Sequence, residues 1–321
     1  MTKIIAELCQ NHNGDLKILK EMVHAAAESG AEYCKIQSIK SSELTHRKKF
    51  DDGKFENGKT IVTKRPFKDE LKRLKPLDLT EDAHFKFLEY CAEYKIKPTT
   101  TIFTRSRLKF IEKMNLDLIK IASFDCASHR MIEEVSKTKI KHIVVSTGTA
   151  YDEEIKRTAE ILKNSTKKFT LLHCVSIYPT PVQFANLNRI NFLKNFSDSV
   201  GFSDHSKTEE DGIKLSVASL LFDIDFIERH FTIIDKSSTK DGVVSLNPKE
   251  LKNLVDLAKS DKKTIKEYLE ENFKDHKVAL GKEKRKLSHE ELLNRDYYRG
   301  RFASINSKGE YVYNWENRDF K

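Results

Sequence analysis

Two histidines stand where two apolar runs near the middle of the chain end. In GFSDHS, Asp204 precedes His205, and in IERHF, Glu228 and Arg229 precede His230. Neutral imidazole nitrogens bind divalent transition metals such as Mn²⁺, Fe²⁺ and Zn²⁺. If the two runs are neighbouring strands, both rings can reach one cation, and Glu228 can orient a ligand from behind. The alternative is a pair of hydrogen-bonded histidines in the core.

Two lysines lie inside apolar, strand-like runs, Lys35 in YCKIQ and Lys120 in LIKIAS. A buried ammonium group needs an anionic partner, because removing an unpaired charge from water is very costly. Lysines that point into a barrel would therefore bind a phosphate or a carboxylate, whereas outward lysines would lay their stems against helices. Hydroxyl groups near the ends of neighbouring runs favour the inward arrangement, since they can bind the same anion. They belong to Thr101, Ser123, Ser146, Ser176 and Ser203.

Eight short apolar runs, most of them followed by a segment with helical spacing of apolar residues, must position these side chains. The runs are Lys3–Leu8, Glu32–Ser38, Lys97–Phe103, Asp117–Ser123, Lys141–Gly148, Lys168–Ser176, Ser199–Asp204 and Asp225–Phe231. A repeat of roughly 20 to 30 residues predicts an α/β fold, the (β/α)8 TIM barrel, with its active site at the carboxyl ends of the strands. A doubly wound open sheet is the alternative. It is less favoured because neither GxGxxG nor GxxxxGK[ST] occurs.

The remaining segments predict how the chain is divided. We expect a barrel domain at residues 1–269, a charged linker at 270–293 and a short carboxyl-terminal tail at 294–321 that contains a hairpin. The tail is too short to fold alone and should pack on the barrel or on a second subunit. The polar stretch 41–79 is too long for an ordinary connection, so we expect a loop that covers the active site.

Composition narrows the class of protein. The chain is 38% hydrophobic and 33% charged with a net charge of +9, but it lacks the basic stripe with interleaved aromatic residues that is typical of nucleic-acid binding. Its five cysteines have no CxxC spacing, which favours reduced thiols in a cytosolic protein. No signal peptide and no apolar run of about 20 residues is present. We therefore expect a cytoplasmic protein that binds neither nucleic acid nor membrane.

Together these motifs resemble those of the sialic acid synthase family. The similarity rests on IIAELCQNHNGDLKILKEMVHAAAESGAEYCKIQS, LIKIASFD, VVSTGTA, LLHCVSIYPTP, GFSDHS and IERHFT, spread over residues 4–248. The resemblance implies a TIM-barrel transferase that condenses phosphoenolpyruvate with an N-acylated hexosamine such as N-acetylmannosamine. The products would be a nonulosonic acid, which is a sialic-type sugar, and phosphate.

The resemblance also implies roles for individual residues. Glu7, Lys35 and Lys120 would be catalytic. The expected phosphoenolpyruvate-binding set is Lys35, Thr101, Lys120, Ser123, Ser146, Ser176 and Ser203. The expected sugar-binding set is Gln37, Asp125, Tyr178 and Asp241. His205 and His230 would bind the metal, with Mn²⁺ expected and Mg²⁺ or Co²⁺ as alternatives.

The tail departs from the family pattern. Most bacterial members continue into an antifreeze-like domain that places an arginine in the sugar site of the partner subunit, whereas this sequence ends at Lys321. We therefore expect a homodimer in which Arg295, Arg299, Arg301 or Arg318 takes that role. The alternative is that these arginines only fasten the tail to the barrel.

Other functions compete with this interpretation. The acceptor could be another aldose or an aldose phosphate, as in octulosonate-phosphate synthases, and Arg47, Lys48 and Arg65 in the 41–79 stretch could clamp its phosphate. A non-catalytic sugar-binding barrel is a second alternative, although both histidines, both lysines and Glu7 are present. A metal-dependent hydrolase would more often carry a carboxylate-rich metal site.

Overall fold

Eight parallel strands, rich in β-branched and other apolar residues, close into a barrel. The computed structural model describes residues 1–320, so Lys321 of the predicted tail lies outside the described residues. All eight predicted strand runs form strands, and the TIM-barrel prediction is confirmed. The strands are β1 (Lys3–Cys9), β2 (Tyr33–Ser38), β3 (Lys54–Glu56), β4 (Lys59–Val62), β5 (Lys97–Ile102), β6 (Leu118–Ile121), β7 (His142–Ser146), β8 (Lys168–His173), β9 (Val200–Asp204), β10 (Phe226–His230), β11 (Ser304–Ile305) and β12 (Tyr311–Val312).

The order of the strands makes every sequential pair of barrel strands neighbours. Around the barrel the order is β1-β10-β9-β8-β7-β6-β5-β2, and β2 pairs again with β1. The strands β9 and β10, which end near the two histidines, therefore lie side by side, as their motifs predict. The hairpins β3–β4 and β11–β12 lie outside the barrel sheet.

Alternation along the strands explains how the barrel positions charged groups. One layer of the interior is an apolar cluster, and a second layer lies two residues further along the same strands. Since residues i and i+2 point to the same face of a strand, the second layer also faces inward. The apolar layer is Ile5, Tyr33, Leu118, Val144, Leu172 and Phe226. The layer above it is Glu7, Lys35, Lys120, Ser146, Cys174 and Glu228.

Most of the helices cover the outside of the barrel, and the largest apolar core lies between these helices and the strands. The helices are α1 (Leu16–Glu28), α2 (Lys49–Asp52), α3 (Phe67–Leu74), α4 (Glu81–Glu93), α5 (Leu108–Lys113), α6 (His129–Ser136), α7 (Asp152–Lys163), α8 (Arg189–Lys194), α9 (Thr208–Asp211), α10 (Lys214–Ser219), α11 (Pro248–Ala258), α12 (Lys262–Asn272) and α13 (His289–Tyr298). Of these, α2, α3, α9 and α13 contribute no residue to that core. None of the helices in residues 1–320 has both the length and the apolar character needed to cross a membrane.

The segments outside the repeating units carry more structure than their composition indicates. The polar stretch 41–79 contains α2, the hairpin β3–β4 and α3, so it is an ordered insertion rather than an irregular loop. Helix α12 ends at Asn272, and α13 begins at His289 inside the predicted linker. The tail contains the hairpin β11–β12, in which Ser304 pairs with Val312. The tail packs on the insertion, since Thr45 Oγ1 donates to the carbonyl of Gly300 at 2.6 Å.

Candidate active site at the carboxyl ends of the barrel strands

A cavity of about 300 Å³ opens at the carboxyl ends of the barrel strands. All of the predicted site residues except Ser176 line it. The lining residues from the predicted sets are Glu7, Lys35, Gln37, Thr101, Lys120, Ser123, Asp125, Ser146, Tyr178, Ser203, His205, His230 and Asp241. Ser176 is buried behind the wall, with its Oγ 3.0 Å from Ser123 Oγ. The fold therefore brings the predicted residues to one place.

Two lysines and two glutamates form a buried cluster on the floor of the cavity. Lys35 forms an ion pair with Glu7, lies 3.2 Å from Glu228 Oε2 and donates to Thr101 Oγ1 at 2.9 Å. Lys120 Nζ lies 3.2 Å from Glu228 Oε1. All four ionised side chains are at most 4% exposed. Both lysines thus point inward, and the outward arrangement is wrong.

The ionisation of this cluster depends on how the charges share partners. Burial alone would lower the pKa of Lys35, but Glu228 and Glu7 outweigh it and the pKa is raised. Burial lowers the pKa of Lys120 despite Glu228, and the ammonium of Lys35 lowers it further. Burial would raise the pKa of Glu228, but Lys120 and Lys35 hold it below its usual range. Lys120 is therefore the less compensated ammonium, and an anionic ligand would complete its pairing.

Hydroxyl groups surround the lysines. Ser203 Oγ donates to Glu228 Oε1 at 2.9 Å, which fixes the carboxylate from a neighbouring strand. Ser146 Oγ is buried and has no hydrogen-bond partner among the described residues. A buried hydroxyl without a protein partner is typically satisfied by water or a ligand. Ser146 and the lysines thus offer donors to one anion.

Side chains with metal-binding atoms gather beside this cluster. The ligand atoms of Cys9, His230 and Asp241 lie within 4.8 Å of one another. The rings of His205 and His230 have their centroids 5.5 Å apart, and Nδ1 of His230 is buried without a partner among the described residues. His205 Nδ1 lies 3.2 Å from the carbonyl oxygen of Val175, and its Nε2 has only a long contact of 3.4 Å with Ser203 Oγ, so Nε2 is the nitrogen better placed for a ligand. Sulfur, imidazole and carboxylate ligands together suit a divalent transition metal.

Electrostatics favour the metal-binding forms of the histidine and the carboxylate in this group, whereas burial, Asp241 and Glu7 raise the pKa of the Cys9 thiol, so that Cys9 would have to lose a proton to bind a cation. Burial lowers the pKa of His205 to about 3, and His230 contributes in the same direction. His205 is therefore neutral at pH 7, which is the form that binds metals. Burial would raise the pKa of Asp241, but His230 and Lys240 outweigh it and the pKa is lowered. Asp241 is thus a carboxylate at neutral pH.

Cys9 belongs to this group, although its sequence context predicts only a reduced thiol. It ends β1 with φ of +40°, in the left-handed region, and the pairing of β1 with β2 shifts register between Glu7 and Cys9. Glu7 Oε1 accepts a hydrogen bond from the Cys9 N–H at 2.6 Å, and Cys9 Sγ lies 3.3 Å from Asp241 Oδ2. A non-glycine residue held in this conformation at a cavity is typical of a functional position.

The predicted sugar-binding residues lie on the cavity wall around this group. Tyr178 places its ring 4.2 Å from the ring of His205. Asp125 is buried and accepts hydrogen bonds from Asn314 Nδ2 at 2.9 Å and Ser128 Oγ at 2.8 Å. Burial raises the pKa of Asp125 to about 6, although both hydrogen bonds oppose the shift.

The outer wall comes from segments far apart in the sequence. It contains Arg65 and Arg73 of the insertion, Lys240 of the segment after β10, and Glu290, Asn294, Tyr298 and Arg301 of α13 and the tail. The ring of Tyr298 stacks on Phe124 with centroids 4.4 Å apart, and its hydroxyl accepts from Arg65 Nη1 at 2.8 Å. The tail thus closes the mouth of the cavity in its own chain.

Comparison with known proteins agrees with this geometry. A family model described as the NeuB family matches residues 22–269. The chain belongs to the NeuB family. It is an enzyme, a phosphoenolpyruvate-dependent nonulosonic acid synthase. The resemblance inferred from the motifs is therefore confirmed.

Characterised relatives of this NeuB-family enzyme carry several product names. It is 33% identical to the N,N'-diacetyllegionaminic acid synthase of Campylobacter jejuni, over 79% of this chain and 74% of the relative. It is 31% identical to the N-acetylneuraminate-9-phosphate synthase of Mus musculus, over 78% of this chain and 68% of the relative. A crystal structure of the N-acetylneuraminic acid synthetase of Leptospira borgpetersenii superposes with a TM-score of 0.69 at 28% identity, covering 92% and 90% of the two chains.

The four tail arginines of this NeuB-family enzyme have different surroundings. Arg301 lines the cavity. Arg295 forms an ion pair with Glu154 at 2.5 Å, and Arg299 lies 3.9 Å from the same carboxylate. Arg318 is exposed. Of the four, Arg301 is therefore the one that lines the cavity, and it does so within its own chain, while the role of a tail arginine in the sugar site and the homodimer stay predictions.

Arg47, Lys48 and Arg65 of the insertion, which were expected as a possible phosphate clamp, also have different surroundings. Arg65 lines the cavity, whereas Lys48 is exposed outside it. Arg47 Nη1 donates to the carbonyls of Asp296 and Arg299, both at 3.1 Å, and so fastens α13 to the insertion. Arg73 and Lys240, which no motif marked, replace Arg47 and Lys48 on the wall of the NeuB-family cavity.

Proposed function

We propose that this enzyme condenses phosphoenolpyruvate with the open-chain form of an N-acylated hexosamine similar to N-acetylmannosamine. The products are a nonulosonic acid and phosphate. The observation that carries the proposal is the buried Lys35–Glu228–Lys120 cluster directly beside the His205 and His230 pair, in one cavity. One half suits a small dianionic substrate, and the other suits a metal and a carbonyl oxygen.

We assign the phosphoenolpyruvate half to the two lysines and the hydroxyls around them. Lys35 and Lys120 supply positive charge, and Thr101, Ser123, Ser146 and Ser203 offer hydrogen bonds to phosphate and carboxylate oxygens. Ser176 acts through Ser123, because its hydroxyl contacts that of Ser123 and not the cavity. The under-compensated ammonium of Lys120 supports this assignment.

We assign the metal half to His205 and His230, with Cys9 and Asp241 beside them. The donor set fits Mn²⁺, with Co²⁺ as an alternative that the thiol favours; Mg²⁺ fits less well, since it prefers oxygen ligands. When bound, such a metal supplies Lewis acidity toward the aldehyde oxygen of the acceptor. Asp241 borders both this group and the outer wall. We therefore assign it two roles, one toward the metal and one toward the acceptor sugar.

The chemistry then requires a bond from C3 of phosphoenolpyruvate to the aldehyde carbon, addition of water at C2, and loss of phosphate from C2. Glu7 lies against Lys35 at the floor of the cavity. We assign it the proton of the water that adds at C2, since its carboxylate is the acid–base group beside the lysines. Lys35 and Lys120 stabilise the departing phosphate. Gln37, Asp125 and Tyr178 orient the acceptor.

The proposal is tested by phosphate release and product mass. The purified chain with Mn²⁺, phosphoenolpyruvate and an N-acyl hexosamine should release phosphate. The product should have the mass of the hexosamine plus phosphoenolpyruvate plus one water, minus one phosphoric acid. The Lys120→Met variant should lose about 100-fold or more in kcat/KM, as expected for a group that stabilises charge in the transition state. The matched control Lys139→Met, an exposed lysine before β7, should be unchanged. Absence of phosphate release with every N-acyl hexosamine, free or 6-phosphorylated, would refute the proposal.

A further inference from the structure

Four cations meet on the outer wall of the cavity. Arg65 and Arg73 come from the insertion, Lys240 from the segment after β10, and Arg301 from the tail. We call these four residues the outer cation cluster. None of them belongs to the lysine pair on the floor, and the proposed condensation with a neutral sugar uses none of them.

The outer cation cluster has too few carboxylates to neutralise it. Glu70 Oε2 lies 3.0 Å from Arg73 Nε, and the same carboxylate forms the ion pair with Arg301. Nε of Arg301 is buried and has no acceptor among the described residues. Arg65 donates to the neutral hydroxyl of Tyr298. Counting Glu70, Asp241, which adjoins Lys240, and the exposed Glu290 of the same wall, one positive charge remains.

Tyr298 reports the resulting positive potential. Burial alone would raise the pKa of its phenol, yet the pKa is lowered, because Lys240, Arg65 and Arg301 outweigh burial. A site whose cations favour the ionised form of a neighbouring phenol in this way also favours an anionic ligand.

The position of the cluster places that anion on the acceptor. Arg73 Nη1 lies 3.3 Å from Gln10 Oε1, next in sequence to Cys9, and Lys240 directly precedes Asp241. The cluster therefore borders the Cys9–His230–Asp241 group on the side of the cavity mouth, whereas Lys35 and Lys120 lie on the floor. A sugar whose aldehyde reaches the metal half would extend its other end toward the cluster.

We propose that the outer cation cluster binds the phosphate of a phosphorylated N-acyl hexosamine, so that the acceptor is a sugar phosphate. The proposal rests on the proposed condensation. Arginine forks and a lysine match the oxygens of a phosphate monoester, which carries about −1.5 to −2 charge at pH 7. A phosphate would pair with the excess positive charge of the cluster, whereas a neutral sugar would leave that charge unpaired.

Binding of unreactive acceptor analogues tests this directly. N-acetylmannosaminitol 6-phosphate and N-acetylmannosaminitol lack the aldehyde and cannot condense, so calorimetric titration can be done on the full chain saturated with Mn²⁺ and phosphoenolpyruvate. Phosphoenolpyruvate then occupies the lysines on the floor, and a second phosphate must bind elsewhere. We expect the 6-phosphate to bind at least about tenfold tighter than the neutral alditol, because charge-assisted hydrogen bonds are the strong ones.

Two variants and one control locate the effect. Lys240→Met and Arg65→Gln should each reduce the preference for the phosphate several-fold while leaving affinity for the neutral alditol nearly unchanged. Lys48→Met removes the same charge from an exposed position of the insertion and should leave the preference intact. Equal binding of the two alditols would overturn the proposal. So would a preference that survives both variants, or one that Lys48→Met reduces equally. Lack of turnover with any aldehyde would count against the condensation alone, since the alditol measurement does not depend on it.

Discussion

The charge balance on the cavity floor predicts that Glu228→Gln destabilises the protein. Glu228 is 4% exposed, and its two oxygens lie 3.2 Å from the ammonium groups of Lys35 and Lys120. At that distance each attraction is about 5 kcal/mol for an effective dielectric constant of 20, before desolvation offsets it. The amide keeps the shape and can still accept from Ser203, but it removes the charge. Lys35 retains Glu7, whereas Lys120 loses the one ion-pair partner that it has among residues 1–320.

The expected cost follows from leaving one ammonium buried and unpaired. Breaking a buried pair from one side typically costs 3–5 kcal/mol, so we expect the free energy of unfolding at pH 7 to fall by about 3 kcal/mol. The double variant Lys120→Met/Glu228→Gln removes both charges and should recover most of that loss. The coupling energy between Lys120 and Glu228 in this cycle should therefore be about 2 kcal/mol or more.

The dependence on pH gives the prediction a second signature. Burial lowers the pKa of Lys120 below 10.5 in the folded protein, so the unfolded chain binds more protons and stability rises as pH increases toward 10.5. Loss of Glu228 lowers this pKa further. The difference in free energy of unfolding between Glu228→Gln and the parent protein should then become smaller from pH 7 to pH 9.5, because a deprotonated, neutral Lys120 needs no anionic partner.

Equilibrium urea unfolding followed by far-ultraviolet circular dichroism measures these free energies. Glu270→Gln, at an exposed position of α12, is the control and should change stability by less than about 0.5 kcal/mol. The reasoning would be refuted by a loss below about 1 kcal/mol for Glu228→Gln. A double variant as unstable as the single one would refute it equally, since the loss would then not come from an unpaired Lys120.

Three further outcomes are expected. Asp125→Asn should gain stability relative to the parent as pH rises from 4 to 7, by up to about 3 kcal/mol. The reason is that the pKa of Asp125 is about 6 in the folded protein and 3.8 in the unfolded chain, so the parent loses stability as pH rises through that window. A difference in the free energy of urea unfolding that does not change with pH would contradict this. Cys9→Ser should abolish a thiolate-to-cobalt absorption band in the Co²⁺-loaded protein, whereas the buried control Cys91→Ser should keep it; an unchanged spectrum in Cys9→Ser would remove Cys9 from the ligand set. Gly148→Ala should raise the KM for phosphoenolpyruvate and lower the free energy of unfolding by about 1–3 kcal/mol, because its new methyl group would clash with Ser176 Oγ. An unchanged KM and an unchanged stability would contradict this, since they would show that Ser176 can move away from the methyl group.

The strand pattern was sufficient to predict the floor of the cavity. Lys35 and Lys120 follow inward apolar residues by two positions, and that alternation is local to each strand, so the sequence alone carries it. The outer wall could not be predicted in the same way. Tyr298 and Arg301 reach the cavity because the tail packs on the insertion, a contact between segments more than 200 residues apart in sequence, for which no periodic pattern exists. Cys9 was missed because its role depends on a backbone shift at the end of β1.

Glu7 links the two halves of the site through one carboxylate. One oxygen pairs with Lys35 on the floor of the cavity, and the other accepts the Cys9 N–H, which holds Cys9 in its left-handed conformation beside Asp241. A carboxylate fixed by an ammonium is a rigid acceptor, and a rigid acceptor can hold a backbone conformation that costs about 1–3 kcal/mol. The position of the thiol therefore depends on the same charge pair to which we assign a role in binding phosphoenolpyruvate. Since a strained residue persists only where its surroundings over-determine it, the metal half and the anion half of this site form one structural unit rather than two adjoining ones.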